Sequence, residues 1–476
     1  MLRFLPVLLL LLTAACQSSP PSDNSAPPVR VASFTGDASC ASCHQSETAS
    51  YASHGMANSF HAMVPERVIE DFDGPPVYHE ATDLYYRAIR SGERFFQEEY
   101  RLDEAGNRTH ELARRMTHVV GSGKAARTYV SEENGRYAEL PLTWYAQAGI
   151  WDFSPGYLAA NQRFDRTLTS RCMSCHTNAP PVVAGTDDVF ESAPLAISCE
   201  RCHGAGGDHV AARLAVPEPA GDSDPTILNP ADLEMSPRLD VCQQCHLNGA
   251  VVMYPDGDDP YSFRPGDALA EHQIMYVPAH DTGLSVVSHA DRMKRSACFL
   301  ESLDGPRPME CTTCHDPHDG YRDKGPDYFN ATCRSCHAGI AESVAPSVQL
   351  DHDAAANCAS CHMAKREVEN APHSSFTDHF IRASVQQTED VAETDEANLI
   401  LEPMSGEGSD AELAAAYMTY GYARGNPDVL SRGLILADRN RDAFLDPSNS
   451  NAAVTFGKAL LLAGRPADAI EPLRIA

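Results

Sequence analysis

The chain has 476 residues, a hydrophobic fraction of 43% and a formal net charge of −29 at pH 7. Its length allows two or three domains. Its strongly negative charge argues against binding to nucleic acid and against charge-driven binding to anionic lipid. The acidity favours basic partners or cations, or it serves only to keep the protein soluble, and composition leaves both interpretations open.

The first residues have the composition of an export signal. Arg3 precedes an apolar run at 4–12, which is too short to span a bilayer as a permanent helix. We predict a signal peptide over 1–15 and interpret Cys16, which follows small residues, as a lipidation site; simple cleavage is the alternative. The polar composition of 16–35 is typical of a flexible tether. We therefore expect export, to the periplasm or to the outer membrane as a lipoprotein.

A pattern typical of short strands occupies about 77–145. The predicted strands cover 84–90, 95–102, 126–131 and 136–140. Asn134-Gly135 is a strong signal for a two-residue hairpin turn between the last two of these strands. The pattern predicts a small antiparallel β insert.

The unit Cys-x-x-Cys-His occurs seven times and uses fourteen of the sixteen cysteines. Its cysteines are Cys40, Cys43, Cys172, Cys175, Cys199, Cys202, Cys242, Cys245, Cys311, Cys314, Cys333, Cys336, Cys358 and Cys361. Its histidines are His44, His176, His203, His246, His315, His337 and His362. We number the units as motifs one to seven in chain order.

This unit is the attachment signature of c-type haem. Two thiols three positions apart on one helical turn can reach the two vinyl groups of a porphyrin, and the following histidine can bind the iron as proximal ligand. A zinc site pairs two Cys-x-x-Cys units without needing a histidine after each, and a disulfide scaffold would not fix that residue. We therefore predict seven covalently bound haem c groups.

Thirteen further histidines could supply second axial ligands to the irons. Those whose place in the chain favours this role are His54, His209, His289, His318, His352, His373 and His379. His61 and His118 are reserves, whereas His79 has the pattern of a solvated residue. Met56, Met63 and Met363 could bind an iron in place of a second histidine. Core packing is the preferred interpretation for all three.

Six of the motifs follow one another at short intervals between 172 and 362, which leaves room for little more than one helix and one turn per haem. Such spacing brings haems close together and suits electron hopping. We predict one seven-haem domain over 36–385. The expected fold is mainly α, with sparse regular structure around the haems, the small antiparallel β insert and a helical tail.

The composition changes after the last motif. Residues 386–409 are acidic and form a predicted linker, and 410–476 are rich in alanine and leucine. The stretch 451–476 fits the small and apolar positions of a tetratricopeptide repeat. We predict a helical, repeat-like tail that docks a redox partner.

Several stretches resemble a family of exported bacterial multihaem cytochromes c with C-terminal tetratricopeptide repeats. These stretches are 119–123, 151–157, 199–206, 311–318 and 376–379. The resemblance implies electron carriage and no named substrate. No Cys-x-x-Cys-Lys unit is present, so the lysine-ligated catalytic haem of pentahaem nitrite reductases is not supported.

Three functions follow from these features. The leading hypothesis is a periplasm-facing carrier that passes electrons through seven haems between redox proteins. The alternative is an oxidoreductase that acts on a small nitrogen or sulfur compound at one haem with an open axial position. A third possibility is an interaction module in which the repeats recruit partners and the haems only sense redox state.

Overall fold

The computed structural model describes residues 33–216, 224–247, 249–255, 257–279, 283–339, 356–368, 370–383, 399–404 and 408–476. Four predicted features lie wholly or largely outside these ranges. They are the signal peptide 1–15, the lipidation site Cys16 with its tether, the ligand His352 and most of the acidic linker.

The prediction of a mainly α fold is wrong. The structure is about 37% helix and 21% strand, and its strands form four antiparallel sheets within the described residues. Two of these sheets lie outside the predicted β insert. Their strands have three to seven residues, which is too short for a period-two pattern to stand out from the surrounding loops.

Ten strands build a region that we call the β region, residues 60–167. They are β1 (Phe60–Ala62), β2 (Val77–His79), β3 (Leu84–Ser91), β4 (Arg94–Leu102), β5 (Arg108–Arg115), β6 (His118–Val120), β7 (Arg127–Glu133), β8 (Arg136–Tyr145), β9 (Ile150–Phe153) and β10 (Arg166–Thr167). One sheet has the order β1-β6-β7-β8-β10 with β9 also on β8, and the other has the order β2-β3-β4-β5.

The hairpin predicted at Asn134-Gly135 is confirmed. Both residues have positive φ, 55° and 79°, and the flanking Glu133 and Arg136 pair directly across the turn. Two consecutive left-handed residues give the turn the twist that the flanking strands require. This turn fixes the register of the longest strand pair in the sheet.

The β region buries its apolar side chains in several clusters. Its largest cluster of buried side chains consists of Met63, Ala88, Phe95, Met116, Val119, Tyr129, Leu140, Trp144 and Phe164. The buried carboxylate of Glu70 lies beside this core and accepts hydrogen bonds from Arg127 and from the Tyr129 hydroxyl, at 2.9 and 2.6 Å. The region therefore has both the apolar burial and the paired polar groups of an ordinary folded domain.

Short helices carry the motifs or lie between them, except that motif five begins on a 3₁₀ turn. We call these helices together the motif region. These helices are α1 (Asp37–Ala41), α2 (Gln45–Tyr51), α3 (Ser170–His176), α4 (Glu200–His203), α5 (Gly207–Ala215), α6 (Met235–His246), α7 (Leu269–His272), α8 (His289–Lys294), α9 (Ala297–Ser302), α10 (Pro326–Cys336) and α11 (Cys358–His362). Single 3₁₀ turns lie at Met56–Asn58, Pro65–Arg67, Glu80–Thr82, Pro230–Asp232, Cys311–Thr313 and Tyr321–Asp323.

Five strands complete the part of the chain after the second motif. They are β11 (Val251–Met253), β12 (Ile274–Pro278), β13 (Lys365–Val368), β14 (Ala371–Thr377) and β15 (Leu401–Pro403). They form a three-stranded sheet of order β11-β12-β15 and a β13-β14 hairpin.

The tail consists of five helices, α12 (Asp410–Arg424), α13 (Pro427–Arg439), α14 (Arg441–Phe444), α15 (Ser450–Leu462) and α16 (Pro466–Ile475). Ser409 and Glu412 form a capping box at the start of α12, and Gly425 ends this helix in the left-handed conformation. The Tyr417 hydroxyl accepts the N–H of Leu401 at 3.0 Å, which fixes the tail to the three-stranded sheet. The tetratricopeptide assignment stays a prediction.

In the described part of the chain, no helix is long and apolar enough to cross a membrane.

Candidate haem-binding site

The local backbone places both thiols of a motif on one helical turn. In four motifs the backbone N–H of the histidine donates to the carbonyl of the first cysteine at 2.9 to 3.0 Å. These pairs are His44 with Cys40, His203 with Cys199, His315 with Cys311 and His337 with Cys333. None of the fourteen motif cysteines is fully buried or joined in a disulfide. The cysteines are therefore unpaired, as attachment to a porphyrin requires.

Neighbouring motifs contact each other through their cysteines. Four pairs of thiols from different motifs lie close enough to shift each other's pKa: Cys40 with Cys199, Cys175 with Cys245, Cys242 with Cys311 and Cys333 with Cys358. Burial, and then the neighbouring Cys333 thiol, raises the pKa of Cys314 to about 11. These contacts connect motif one to three, two to four, four to five and six to seven. The ring of His315 in motif five lies 6.2 Å, centre to centre, from Phe329 on the helix that carries motif six.

Four motif histidines face a second histidine at a spacing that suits a shared iron. Two imidazoles on opposite sides of one metal, each with a nitrogen about 2 Å away, have ring centres about 6 Å apart. The ring centres are 6.2 Å apart for His44 and His209, 5.9 Å for His203 and His318, 5.8 Å for His246 and His289, and 6.2 Å for His315 and His379. The donor set and spacing therefore fit haem iron at motifs one, three, four and five.

Several of these rings are oriented by a hydrogen bond at Nδ1. The Nδ1 atoms of His203 and His379 lie 2.9 and 3.0 Å from the carbonyl oxygens of Leu228 and Thr377. In the same way, Nδ1 of His209 lies 3.0 Å from a carboxylate oxygen of Asp224. Each contact engages Nδ1 and leaves Nε2 for the metal, which is the usual arrangement around ligating histidines.

Two of the predicted second ligands lie apart from these pairs. His54 stacks on Tyr51 with ring centres 5.6 Å apart, and its Nδ1 accepts the N–H of Met56. His373 is bound through Nε2 to the Asp152 carboxylate at 2.7 Å, on the β region. Within the described ranges, no second histidine ring contacts the motif histidines His176 and His337.

The reserve ligands belong to the first sheet of the β region. His61 is buried, its Nδ1 lies 3.0 Å from the Ala62 carbonyl, and burial lowers its pKa to about 4. His118 stacks on Phe60. His79, which the sequence suggested to be solvated, is buried and bound to the Thr82 hydroxyl, so that expectation is wrong.

Sequence reasoning missed a buried charge cluster beside one of the paired histidines. Asp378 is fully buried and accepts hydrogen bonds from Arg292 at 2.9 and 2.7 Å, and from Arg366 and Arg382 at 3.0 Å each. Burial alone would raise the pKa of Asp378, but these arginines hold it well below its usual value. The cluster fixes the segment that carries His379. The only available signal was that Asp378 lies in one of the stretches shared with the resembled family.

The described residues contain no group of three His, Cys, Asp or Glu side chains placed to hold a metal ion.

Comparison with known proteins shows similarity in sequence to a multihaem cytochrome. The chain is 27% identical over 188 residues to the multihaem cytochrome MtrA of Shewanella baltica (strain OS185). The chain is similar to a multihaem cytochrome. The match covers 35% of this chain and 52% of MtrA, so the chain spans about half the length of this relative. No family model matches.

Among solved structures, the chain is similar to the outer cell wall cytochrome OcwA. The TM-score is 0.45 at 13% sequence identity, and the superposition covers 93% of this chain and 98% of OcwA.

Proposed function

We propose that the protein is an exported cytochrome that binds seven haem c groups and passes electrons along them between redox proteins. The observation that carries this proposal is that each motif contacts a neighbouring motif, and that Arg201 of motif three contacts motifs two and four. Each haem, when bound, supplies an iron that cycles between the ferric and ferrous states. The polypeptide attaches the haems, orients their axial ligands and fixes the distances between them.

The paired histidines also connect one motif to the next. His315 belongs to motif five, whereas His318, three residues later, faces His203 of motif three. A short stretch of backbone thus joins two neighbouring ligand pairs. The rings of His289 and His379, which belong to the pairs of motifs four and five, lie 4.7 Å apart. Both connections would keep the haems of neighbouring motifs close together, which favours electron transfer between them.

Two imidazoles per iron favour a carrier over an enzyme. An iron with both axial positions filled by histidine cannot easily bind a substrate, whereas reduction of a nitrogen or sulfur compound needs an open position. Among the described residues, four motifs have the two-histidine arrangement. The proposal therefore assigns electron transfer to these four haems first, and substrate chemistry, the alternative, would need an open axial position at another haem.

Mass spectrometry and electron paramagnetic resonance of the ferric protein test this proposal. We expect the mass of seven attached haems. His209→Ala and His318→Ala should each convert one low-spin haem to a high-spin haem. His373→Ala, which removes a histidine bound to Asp152, is the matched control and should leave the spectrum unchanged. Fewer than seven attached haems would contradict the proposal. Unchanged low-spin signals in both His209→Ala and His318→Ala would also contradict it.

The location and partners form the second part of the proposal. Lipidation of Cys16 would hold the protein at a membrane, and the tail would dock a redox protein. The exposed apolar side chains of Tyr422 and Ile435 are available on the tail for such docking. Cys16→Ser should move the protein from the membrane fraction to the soluble periplasmic fraction. A variant that stays with the membrane would contradict lipid anchoring.

A further inference from the structure

Arg201 connects three motifs at one point. It occupies a variable position of motif three, between Cys199 and Cys202. Its Nη2 atom donates to the carbonyl of Ser174 in motif two at 3.0 Å and to Oε1 of Gln244 in motif four at 2.8 Å. One guanidinium therefore contacts the backbone or side chains of two motifs while belonging to a third.

The contacts around Arg201 are reciprocal. Nε2 of Gln244 donates back to the Arg201 carbonyl at 3.2 Å, so the two side chains hold each other's helices. The thiols of Cys175 and Cys245 lie 3.9 Å from the carbonyls of Gln244 and Ser174, respectively. Motifs two, three and four thus meet in a compact junction. From this junction, thiol contacts lead to motif one through motif three and to motif five through motif four.

The carboxylate next to Arg201 is engaged elsewhere. Glu200 is 5% exposed, and its two oxygens accept the backbone N–H groups of Thr35, Gly36 and Gly206 at 2.8 to 2.9 Å. This acid therefore points toward the start of the folded chain. The hydrogen bonds that Arg201 makes in the junction go to neutral oxygens. In a protein of net charge −29, the junction thus receives a positive charge.

We propose that Arg201 is a positioning residue that makes motifs two, three and four the branch point of the haem series and raises the reduction potentials of their haems. This inference rests on the proposed function. A nearby positive charge favours the state that has gained an electron, and the effect is stronger in a partly buried site than in water. Electrons would accordingly collect at the junction before they move to either arm.

An anaerobic spectroelectrochemical titration of the holoprotein tests the proposal. Arg201→Gln removes the charge and should shift one part of the titration curve to lower potential, while the rest overlays the wild type. Arg201→Lys keeps the charge and should stay near the wild-type curve. Arg465→Gln makes the same change of formal charge on the exposed tail, where Arg465 pairs with Asp468, and should leave the curve unchanged.

Gln244→Glu provides a second route if Arg201→Gln does not yield holoprotein. It places a negative charge on the acceptor of Arg201 and should lower the same part of the curve. An unchanged curve in both Arg201→Gln and Gln244→Glu would overturn the role of Arg201. An equal shift in Arg465→Gln would also overturn it. Failure of the proposed function is distinguishable, because the wild-type protein would then lack a Soret band or its seven haems.

Discussion

The β region and the motif region are stabilised in different ways. The β region buries a cluster of nine apolar side chains between regular strands. In the motif region the buried apolar clusters are smaller: Leu239, Met293 and Phe299 form one, and Leu247, Phe263, Leu269, Met275 and Ala290 form another. No motif cysteine is fully buried. The β region thus contains the larger core, and we expect the motif region to depend also on the apolar surface of the proposed haems.

Preventing haem attachment is the strongest test of this difference. When the full chain is produced without the apparatus that attaches haem, we expect the motif region to become sensitive to protease and the β region to stay resistant. The reason is that short helices without a shared core are marginal in water. Limited proteolysis with mass spectrometry should recover a fragment close to 60–167. Equal protease resistance of both regions would contradict the proposed difference in how they are stabilised.

Asp378→Ala should have the next largest effect. It leaves Arg292 buried without its carboxylate, and breaking a buried ion pair costs about 3–5 kcal/mol. We expect the free energy of unfolding to fall by that amount in denaturant titrations followed by haem absorption. Asp304→Ala, at an exposed position, is the control and should change it little. A loss below about 1 kcal/mol would show that the motif region does not depend on this polar cluster.

The same carboxylate predicts a pH dependence. Because its folded-state pKa lies below its unfolded value of about 3.9, Asp378 stabilises the fold above that pH and loses this contribution as the pH falls further. Stability of the wild type should therefore fall below about pH 4 more steeply than that of Asp378→Ala. Parallel curves for the two proteins would contradict the assignment.

Tyr129→Phe tests the β region with a smaller change. It removes the hydroxyl that donates to the buried Glu70 carboxylate at 2.6 Å. A hydrogen bond to a charged group contributes about 1.5–3 kcal/mol. We expect the β region to lose stability by that amount in hydrogen exchange, with no change in the haem spectrum. Tyr422→Phe, on the exposed tail, should have no effect. A changed haem spectrum in Tyr129→Phe would show that the two regions are coupled.

The sequence alone identified the features that depend on local chemistry. The Cys-x-x-Cys-His unit needs one helical turn and no distant partner, so its spacing predicts haem attachment directly. The hairpin at Asn134-Gly135 depends on the backbone freedom of two adjacent residues. By contrast, β5 was not predicted, since its side chains are mostly exposed and polar along an edge strand and show no alternation of apolar residues.

The tertiary structure alone decided which histidines meet and which motifs adjoin. His209 and His318 were predicted as ligands, but their pairing with His44 and His203 joins positions far apart in the chain. The junction at Arg201 was likewise invisible, because any residue satisfies the variable positions of the motif. Haem attachment depends on a local sequence pattern, whereas the packing of the whole chain decides which motifs and histidines lie next to each other.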